Sequence, residues 1–346
     1  MLSFYVNYPK GFSPYVIKGV EFLRWYSLMY IVAFAITFVL FRIQLKRNET
    51  RIRMNWRSGE DLDMLIWIML AAIAGGRLGS CLLYSGSYYW THPHLIFWPF
   101  SGGEFVGLPG MSYHGGVIGV CIAMWIFSKK RKISFFDISD PILISLPFGY
   151  FFGRMGNFFN AELYGKVSSS AFGMVFPDAN RFSTSLPWVR EVCDKIGMDL
   201  TSAAVNLPRH PSQLYEALFE GIVLGAIMWF AVRPAALKLK RGVPSGLYLV
   251  AYGFFRFIIE YFRQPDENMG YIIRLGKGSD NIYVFSSLFN LSMGQILCFL
   301  MIAAGAVIVW MCGRRADAQD ALPAEPVRKP MHIPSGKSKK AKKKAK

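Results

Sequence analysis

Polar and charged side chains gather in three short clusters within a chain that is otherwise strongly apolar. In the first cluster, GRMGNFFNAELYG at residues 153–165, Arg154 and Asn157 are three positions apart and would share one helix face. Arginine offers a fork of N–H donors that suits phosphate, and asparagine adds neutral donors. The pattern therefore favours an anion-binding site over an Arg–Glu pair that only caps a helix. The other candidate residues in this cluster are Asn160, Glu162 and Gly165.

The second cluster forms a stripe along one face of a predicted helix. It lies in YGFFRFIIEYFRQPD, residues 252–266, and its members are spaced four, four and three positions apart. Such a stripe on an apolar helix forms a row of internal ion pairs that packs helices or faces a bound anion, and the two roles are compatible. Its members are Tyr252, Arg256, Glu260 and Arg263.

The third cluster, RHPSQLYEALFE at residues 209–220, opens another apolar segment. Pro211 suits the first turn of a helix, where the missing N–H has no intrahelical partner in any case. Gln213, Glu216 and Glu220 would then line one face of that helix. Helix packing and a role at a site are both open interpretations of this face.

Several single residues have two interpretations each. His114 stands beside two glycines at a predicted helix start, and its neutral imidazole would accept a proton near neutral pH; the alternative is a structural role. Arg77, in GGRLG, would pair with a buried carboxylate or contact a phosphate. Trp25, Tyr26 and Tyr30 fit an aromatic belt at a membrane surface.

Membrane-spanning helices are needed to position these clusters. Of 346 residues, 53% are hydrophobic and 18% are charged, whereas a soluble domain usually carries about 25% charged residues. The apolar residues come in blocks of roughly 18 or more, which is the length that crosses a bilayer. The fourth block contains two aspartates and two prolines, so it should be packed within protein or face water. Seven spans are predicted, near residues 25–42, 64–84, 112–128, 136–153, 212–232, 245–262 and 291–312.

The basic residues indicate the orientation of the spans. One set of alternate loops, together with the C-terminal tail, holds 25 of the 39 Lys and Arg residues, and the other set holds 12. Because cytoplasmic loops are enriched in Lys and Arg, the N-terminus is expected outside and the C-terminus in the cytoplasm. The tail at 313–346 is rich in Lys, Ala and Pro and is expected to be disordered. Its charge suits anionic lipid, and no nucleic-acid-reading motif accompanies it.

Metal sites and disulfides are not expected. The five cysteines form no CxxC pair, and the two histidines of the HxH at 92–94 are too few ligands for a metal site. Residues 1–20 lack a basic segment followed by an apolar run and a small-residue cleavage site, so no cleaved signal peptide is expected there.

Taken together, the clusters resemble the prolipoprotein diacylglyceryl transferase family. The first cluster is similar to the family signature, and further segments between residues 20 and 312 match in the family's order. Those segments are RWYSLMY, GGRLG, SYHGG, RHPSQLYE, YGFFRFIIEYFRQPD and SMGQ. The chain departs from the family in a long segment near 166–207, an insertion around 270–290 and the lysine-rich tail. These departures concern oligomeric contacts and substrate preference rather than the reaction.

The resemblance implies an all-α, polytopic enzyme of the bacterial inner membrane with about seven transmembrane helices. Residues 1–312 would form the catalytic unit, with an outer, periplasmic head segment near 154–210. Such an enzyme transfers the sn-1,2-diacylglyceryl group from phosphatidylglycerol to the lipobox cysteine of a prolipoprotein and releases glycerol phosphate, the first step of lipoprotein maturation. The signal peptide of the prolipoprotein and the membrane lipids would be its partners, and no cofactor is implied.

The resemblance also implies roles for the clustered residues. The hypothesised reaction is attack by the cysteine sulfur on the glyceryl carbon as the bond to phosphate breaks. Arg154 and Arg256 would stabilise the departing phosphate. His114 would take the thiol proton, with Tyr26 and Tyr252 as alternatives. Glu162 and Glu260 would orient the arginines. The expected substrate-binding and supporting residues are Arg154, Asn157, Asn160, Glu162, Gly165, Arg256, Glu260, Arg263 and Arg77.

Two other classes of membrane protein fit the sequence less well. A transporter or channel for an anionic solute would also need charged stripes, but it would show repeated halves and polar groups accessible from both faces. A lipid head-group transferase of the CDP-alcohol class would carry DGxxAR followed by GxxxDxxxD, and the sequence lacks this pattern.

Overall fold

The computed structural model describes residues 5–17, 24–46, 59–84, 88–105, 110–236 and 239–314. Most of these residues are helical, and the strands among them are two to four residues long. The predicted class, an all-α membrane protein, is confirmed. The predicted disordered tail lies outside the described residues from residue 315 onward.

Eight helices of ten or more residues are present in these described ranges. They are α1 (Trp25–Leu45), α2 (Glu60–Gly79), α3 (Tyr113–Arg131), α4 (Phe135–Phe159), α5 (Pro187–Ile196), α6 (Ser212–Ala235), α7 (Val243–Ile259) and α8 (Met293–Gly313). A π-helical turn, Ser80–Tyr84, extends α2, and the short helices Tyr88–Thr91 and Pro93–Ile96 follow it. Within α6, Ala217–Val223 and Ile227–Val232 are also π-helical.

All the helices except α5 coincide with the predicted spans, with ends that differ by a few residues. Five of them, α1, α2, α4, α6 and α8, are long and apolar enough to cross a bilayer. Helix α7 is apolar but has only 17 residues, and α3 ends in a run of basic residues. The multi-pass character is therefore confirmed, whereas the count of seven spans stays a prediction.

Helix α4, the polar fourth span, is surrounded by protein. Its Asp137 Oδ1 contacts the Nε of Arg241 at 3.0 Å. Its Asp140 accepts hydrogen bonds from the backbone N–H groups of Gly242 and Ser245, at 2.9 and 3.1 Å. Half of the most apolar 18-residue stretch of α4 is buried inside the protein, a larger share than in the other four candidate spans. Of the two environments expected for this helix, packing within protein is the one observed.

Glycines let α2 and α3 pack with their backbones in contact. A Cβ atom at Gly75 would collide with the carbonyl oxygen of Gly115, and one at Gly115 with the carbonyl oxygen of Gly75. A Cβ at Gly119 would likewise collide with the carbonyl of Ala71. Small residues commonly allow such close approach between membrane helices. Elsewhere α1 packs along α4, α7 packs along α8, and α6 packs against α4, so α4 has neighbours on several sides.

Residues 160–211, which we call the head, connect α4 to α6. The head contains α5 and the strands β4 (Met174–Val175), β5 (Phe182–Ser183) and β6 (Ala204–Val205). Strand β1 (Val6–Asn7), near the N-terminus, pairs in parallel with β4, and β5 pairs antiparallel with β6. A separate hairpin, β2 (Phe100–Ser101) and β3 (Glu104–Phe105), precedes α3. The head therefore forms strand pairs both with the N-terminal segment and between its own strands.

A buried arginine joins the head to the chain after α7. The Arg209 guanidinium lies over the rings of Tyr164 and Phe182, at 5.3 and 4.9 Å from their centroids. Its Nη1 donates to Oε1 of Gln264 at 3.0 Å. Because Arg209 is fully buried, these contacts replace the water that its charge would otherwise require.

A second strand pair leads into the last helix. Strand β7 (Tyr271–Arg274) pairs antiparallel with β8 (Asn290–Ser292), which runs directly into α8. Ser292 and Gln295 form a capping box, in which each side chain accepts a hydrogen bond from the other residue's backbone N–H, at 3.3 and 3.0 Å. This reciprocal cap fixes the start of α8. At one end of the bundle, α4 and α7 terminate and α6 and α8 begin. We call this the site end.

Candidate active site

A single buried carboxylate, Glu216 near the start of α6, lies at the centre of the polar groups. Its Oε2 contacts the Nε of Arg154 at 2.8 Å, and its Oε1 contacts the Nη1 atoms of Arg256 and Arg263, each at 2.8 Å. A carboxylate has about four lone-pair sites, so it accommodates three such contacts. The arginines come from α4, from α7 and from the chain just after α7, so this carboxylate joins three elements at the site end.

A second carboxylate, Glu260, supports two of the same arginines. Its Oε2 lies 3.2 Å from Nη2 of Arg256 and 3.6 Å from Nε of Arg263. Its Oε1 accepts a hydrogen bond from the Ser292 hydroxyl at 3.1 Å, which ties the end of α7 to the start of α8. A Cβ at Gly294 would collide with this carboxylate, so the glycine leaves the space that Glu260 occupies.

Arg154 is held by further contacts on α4 and the loop after it. Its Nη1 donates to Oδ1 of Asn157 at 3.2 Å, which is the contact expected from their spacing. The Asn157 amide in turn donates to Oε1 of Glu162 at 2.9 Å, so these contacts join Glu162 to the arginine through Asn157. The guanidinium also lies over the ring of Tyr150, 4.7 Å from its centroid.

The exposed part of this cluster is cationic. The side chains of Arg154, Arg256 and Arg263 remain 17, 16 and 19% exposed, whereas those of Glu216 and Glu220 have no exposure. The carboxylates therefore lie behind the guanidinium groups. A group that enters from the open side meets N–H donors first, and this arrangement can bind an anionic phosphate. Glu220 is a more distant partner, with its Oε1 3.8 Å from Nη1 of Arg256.

Gly165 lets the loop after α4 lie against the chain after α7. Its N–H donates to the carbonyl of His210 at 2.8 Å, and its backbone forms an antiparallel bridge with Arg263. A Cβ at this position would collide with the carbonyl oxygen of Phe262, so a larger residue would displace the segment that carries Arg263. Asn160, the C-terminal cap of α4, stands at the start of this loop.

Tyrosines from different helices surround the arginines. The hydroxyl of Tyr252, on α7, lies 3.5 Å from that of Tyr150, on α4, and their rings meet edge to face with centroids 5.8 Å apart. The hydroxyls of Tyr113, at the start of α3, and of Tyr26, on α1, lie within electrostatic reach of Arg154. Both predicted alternatives for a base, Tyr26 and Tyr252, are therefore near the cluster.

The remaining predicted residues, His114 and Arg77, have contacts of a different kind. His114 is exposed in the first turn of α3, with its ring 5.7 Å from that of Tyr113. Arg77 is buried near the end of α2, where its Nε donates to the carbonyl of Ile96 and its guanidinium lies 5.3 Å from the ring centroid of Tyr89. These contacts of Arg77 hold the short helices that follow α2.

The central role of Glu216 is the feature that the sequence interpretation missed. The sequence favours Glu162 and Glu260 as the partners of the arginines and leaves Glu216 open between packing and function. A signal was present, because Glu216 lies in an apolar span and a buried carboxylate there needs a cation. Which cation it pairs with depends on the helix neighbours, which spacing along one helix does not reveal.

The fold and the cluster define a class of protein: a multi-pass membrane protein with a cluster of partly exposed arginine side chains at one end of its helix bundle. Comparison with known proteins makes the class more specific. The family described as "Prolipoprotein diacylglyceryl transferase" matches residues 14–311, and this chain belongs to that family.

Curated relatives cover most of the chain. The protein of Treponema denticola is 45% identical over 316 residues, which are 86% of this chain and 92% of the relative. That of Treponema pallidum is 45% identical and covers 88% of this chain and 94% of the relative. The Chlorobaculum tepidum protein is 39% identical, with coverage of 91% and 96%. Each relative is named a phosphatidylglycerol–prolipoprotein diacylglyceryl transferase.

Proposed function

We propose that this chain transfers the diacylglyceryl group of phosphatidylglycerol to a cysteine of a prolipoprotein and releases glycerol phosphate. The observation that carries the proposal is the set of three arginines around buried Glu216, whose guanidinium groups form the exposed part of the cluster. Phosphatidylglycerol places an anionic phosphate at the membrane surface, where such donors suit it. Membership of the family and the names of the relatives support the same reaction.

The reaction requires that one bond forms as another breaks. The cysteine sulfur bonds to the glyceryl carbon while the bond from that carbon to the phosphate ester oxygen breaks. The electron pair leaves with the oxygen, so the departing glycerol phosphate gains negative charge. Arg154 and Arg256, assisted by Asn157, stabilise this charge, because donors that are already in place when charge develops lower the barrier. The loss of one such donor costs about 3–4 kcal/mol.

The surrounding residues keep the two arginines in position. Glu216 and Glu260 fix the guanidinium groups, and Arg263 bridges these two carboxylates. Glu162 fixes the Asn157 amide through their hydrogen bond. Three other predicted residues have no direct contact with the substrate in this proposal. Asn160 and Gly165 shape the loop after α4, and Arg77 shapes the segment after α2.

The thiol proton needs an acceptor. A free cysteine thiol has a pKa of about 8.5, so a base or a positive field must favour the thiolate near neutral pH. His114 is the proposed base because its exposed imidazole lies beside Tyr113, whose hydroxyl is within electrostatic reach of both proposed phosphate ligands. Tyr26 and Tyr252 are the alternatives. Full activity of a His114→Gln variant between pH 6 and pH 8 would remove the imidazole from this role.

The substrates and the location follow from the same proposal. The prolipoprotein is recognised at its lipobox cysteine, next to a signal peptide that spans the same membrane, so both reactants reach the site by lateral diffusion. The site end faces the periplasm of a bacterial inner membrane. Residues 1–312 carry the reaction, and residues 313–346 form a separate cytoplasmic tail. The reaction as written involves no change of oxidation state.

An in vitro assay tests the proposal directly. Purified protein is mixed with phosphatidylglycerol and a lipobox peptide, and the release of glycerol phosphate is measured. We expect release with the cysteine peptide and none with a serine peptide. Arg154→Ala and Arg256→Ala are each expected to lower the rate by about 100-fold or more while the protein still inserts.

A matched arginine provides the control. Arg190 lies on α5 in the head, where it is exposed and its Nε donates to the carbonyl of Thr184 at 2.7 Å. Arg190→Ala should retain wild-type turnover. Two results would contradict the proposal. One is that the wild-type protein releases no glycerol phosphate, and the other is that Arg154→Ala and Arg256→Ala both retain near-wild-type turnover.

A further inference from the structure

A lysine outside the arginine cluster is buried beside the end of α7. The side chain of Lys166, in the head, is almost fully buried. Its Nζ donates to the carbonyl of Tyr261 at 2.8 Å and lies 5.2 Å from the ring centroid of Tyr271. A buried ammonium group is costly unless it has such partners, so its presence here calls for a reason.

The backbone around Lys166 holds the same segment. Its N–H donates to the carbonyl of Phe262 at 2.8 Å, and its carbonyl accepts from the N–H of His210 at 2.9 Å. The preceding residue, Gly165, forms the bridge with Arg263. The Lys166 ammonium group, the Lys166 N–H and Gly165 therefore hold three successive residues after α7, whereas the contact with His210 lies within the head.

This segment carries two of the charged groups of the site. Glu260, the C-terminal cap of α7, contacts Arg256 and Arg263, and Arg263 contacts Glu216. The last carbonyls of a helix have no partner within the helix, and a cation near them is favourable. Lys166 supplies this cation just beyond the end of α7.

We propose that Lys166 is a positioning residue for the transfer reaction. Its charged ammonium group fixes residues 260–263, so that Glu260 and Arg263 hold the Arg256 guanidinium at the phosphate. Lys166 itself touches neither substrate. The proposal rests on the proposed function, because the activity that it controls is the transfer to cysteine.

The charge of Lys166 is expected to change within an accessible pH range. Burial lowers the pKa of the lysine from 10.5 to about 8, and the Glu260 carboxylate opposes this change. Burial, together with Lys166, lowers the pKa of His210 to about 4, so that imidazole is neutral above pH 6. Burial raises the pKa of Tyr271, which is therefore also neutral. Neither His210 nor Tyr271 therefore carries a charge between pH 7 and pH 9.

The sign of the pH effect follows from this lowered pKa. The ammonium form predominates below pH 8 and is lost as the pH rises, so about a tenth of it remains at pH 9. Arginine at this position would stay charged throughout. The activity of Lys166→Arg relative to wild type is therefore expected to rise about tenfold between pH 7 and pH 9. The ionisation of the substrate thiol affects both proteins equally and cancels in this ratio.

A neutral variant tests the same contact at constant pH. Lys166→Met removes the donor to Tyr261 and is expected to lower kcat about tenfold to a hundredfold at pH 7, because small displacements of catalytic groups are costly. The inserted fraction and the melting temperature of each variant are measured alongside, so that loss of folding is separated from loss of positioning.

A second pair of variants leaves the lysine in place. Tyr271→Leu removes the aromatic ring that favours the ammonium form, so the high-pH decline in activity should move about half a unit towards lower pH. Tyr271→Phe keeps the ring and should leave the decline where it is. This pair decides the question if Lys166→Arg does not fold.

The outcomes separate the two proposals. If the wild-type protein releases no glycerol phosphate at any pH, the proposed function fails and the role of Lys166 fails with it. If the wild type is active and the folded lysine variants retain its kcat and its pH profile, only the role of Lys166 is overturned. The role of Lys166 is likewise overturned if the decline in activity at high pH is the same in Tyr271→Leu as in the wild type.

Discussion

At the scale of single residues, the unusual feature is one carboxylate that serves three arginines. Three guanidinium groups in close proximity repel one another, and each would lose hydration in a bundle of helices. Glu216 offsets the repulsion from the buried side and leaves part of each guanidinium exposed. The donors that the proposed reaction needs are thereby fixed before substrate arrives, which is the condition under which electrostatic stabilisation is effective.

Neutralising Glu216 should therefore disable the site. Glu216→Gln keeps the size of the side chain but leaves three arginine charges without their shared partner, and breaking a buried ion pair in this way costs about 3–5 kcal/mol. We expect the transfer rate to fall by about 100-fold or more. The measurement is glycerol phosphate release by purified protein whose folding is checked by its melting temperature.

Glu220→Gln is the matched comparison, because Glu220 is equally buried but lies 3.8 Å from its nearest arginine contact. The transfer rate of Glu220→Gln should fall clearly less than that of Glu216→Gln. If the two variants lose the same activity, or if their order is reversed, Glu216 is not the organising carboxylate.

Some contacts of the site follow from the sequence and others do not. The Arg154–Asn157 contact was predictable because residues three apart on a helix are neighbours whatever surrounds them. The pairing of Arg256 with Glu260 has the same local origin, at a spacing of four. The pairs that Glu216 forms with Arg154 and Arg256 join different helices, so they depend on helix packing that no local spacing encodes.

At the scale of elements, the spans were largely predictable because bilayer thickness sets their length. Helix α4 is the instructive exception. Its predicted end at residue 153 follows from the first charged residue, whereas the helix continues to Phe159 and carries Arg154 and Asn157 in its last turns. Polar residues that find partners across the bundle do not end a helix, although they end an apolar pattern.

The start of α7 depends on a carboxylate from α4. Asp140 accepts from the N–H groups of Gly242 and Ser245 and from the Ser245 hydroxyl, at 2.9, 3.1 and 2.6 Å. It thus satisfies donors that the first turn of α7 leaves without intrahelical partners. Because Arg256 lies on the same helix, a shift at this end would be transmitted to the site end.

We expect Asp140→Ala to destabilise the protein by about 1–3 kcal/mol and to lower activity, since it leaves buried N–H donors unsatisfied. Thermal unfolding and the release assay measure the two effects. Asp140→Asn keeps one acceptor oxygen, so it should lose less stability and less activity than Asp140→Ala. Wild-type stability in the alanine variant would show that α7 does not depend on this contact.

At the scale of the whole molecule, the antiparallel order of helices brings the clusters together. Helices α4 and α7 end where α6 and α8 begin, so segments that are far apart in the chain meet at the site end. The head connects α4 to α6 along the chain, and its residues Gly165, Lys166 and Arg209 join it to the segment after α7. The site is therefore a property of the bundle and the head together.

The orientation of this bundle is the remaining prediction. Because one set of loops, together with the C-terminal tail, holds 25 of the 39 Lys and Arg residues, the head is expected outside and the α3–α4 turn in the cytoplasm. Single cysteines at exposed positions test this in a background where the five native cysteines are replaced. With a membrane-impermeant thiol reagent, Ser185→Cys, in the head, should react in intact cells, and Lys130→Cys, at the end of α3, only after lysis.

The proposed reaction depends on this outcome. A prolipoprotein cysteine that has crossed the membrane reaches only a site that opens on the far side, so the head and the arginine cluster must face that side. Glycerol phosphate release by the two cysteine variants shows that each is folded, which makes their labelling patterns comparable. If Lys130→Cys reacts in intact cells and Ser185→Cys does not, the charge bias has been misread, and the site would open to the cytoplasm, where exported lipoprotein precursors would not reach it.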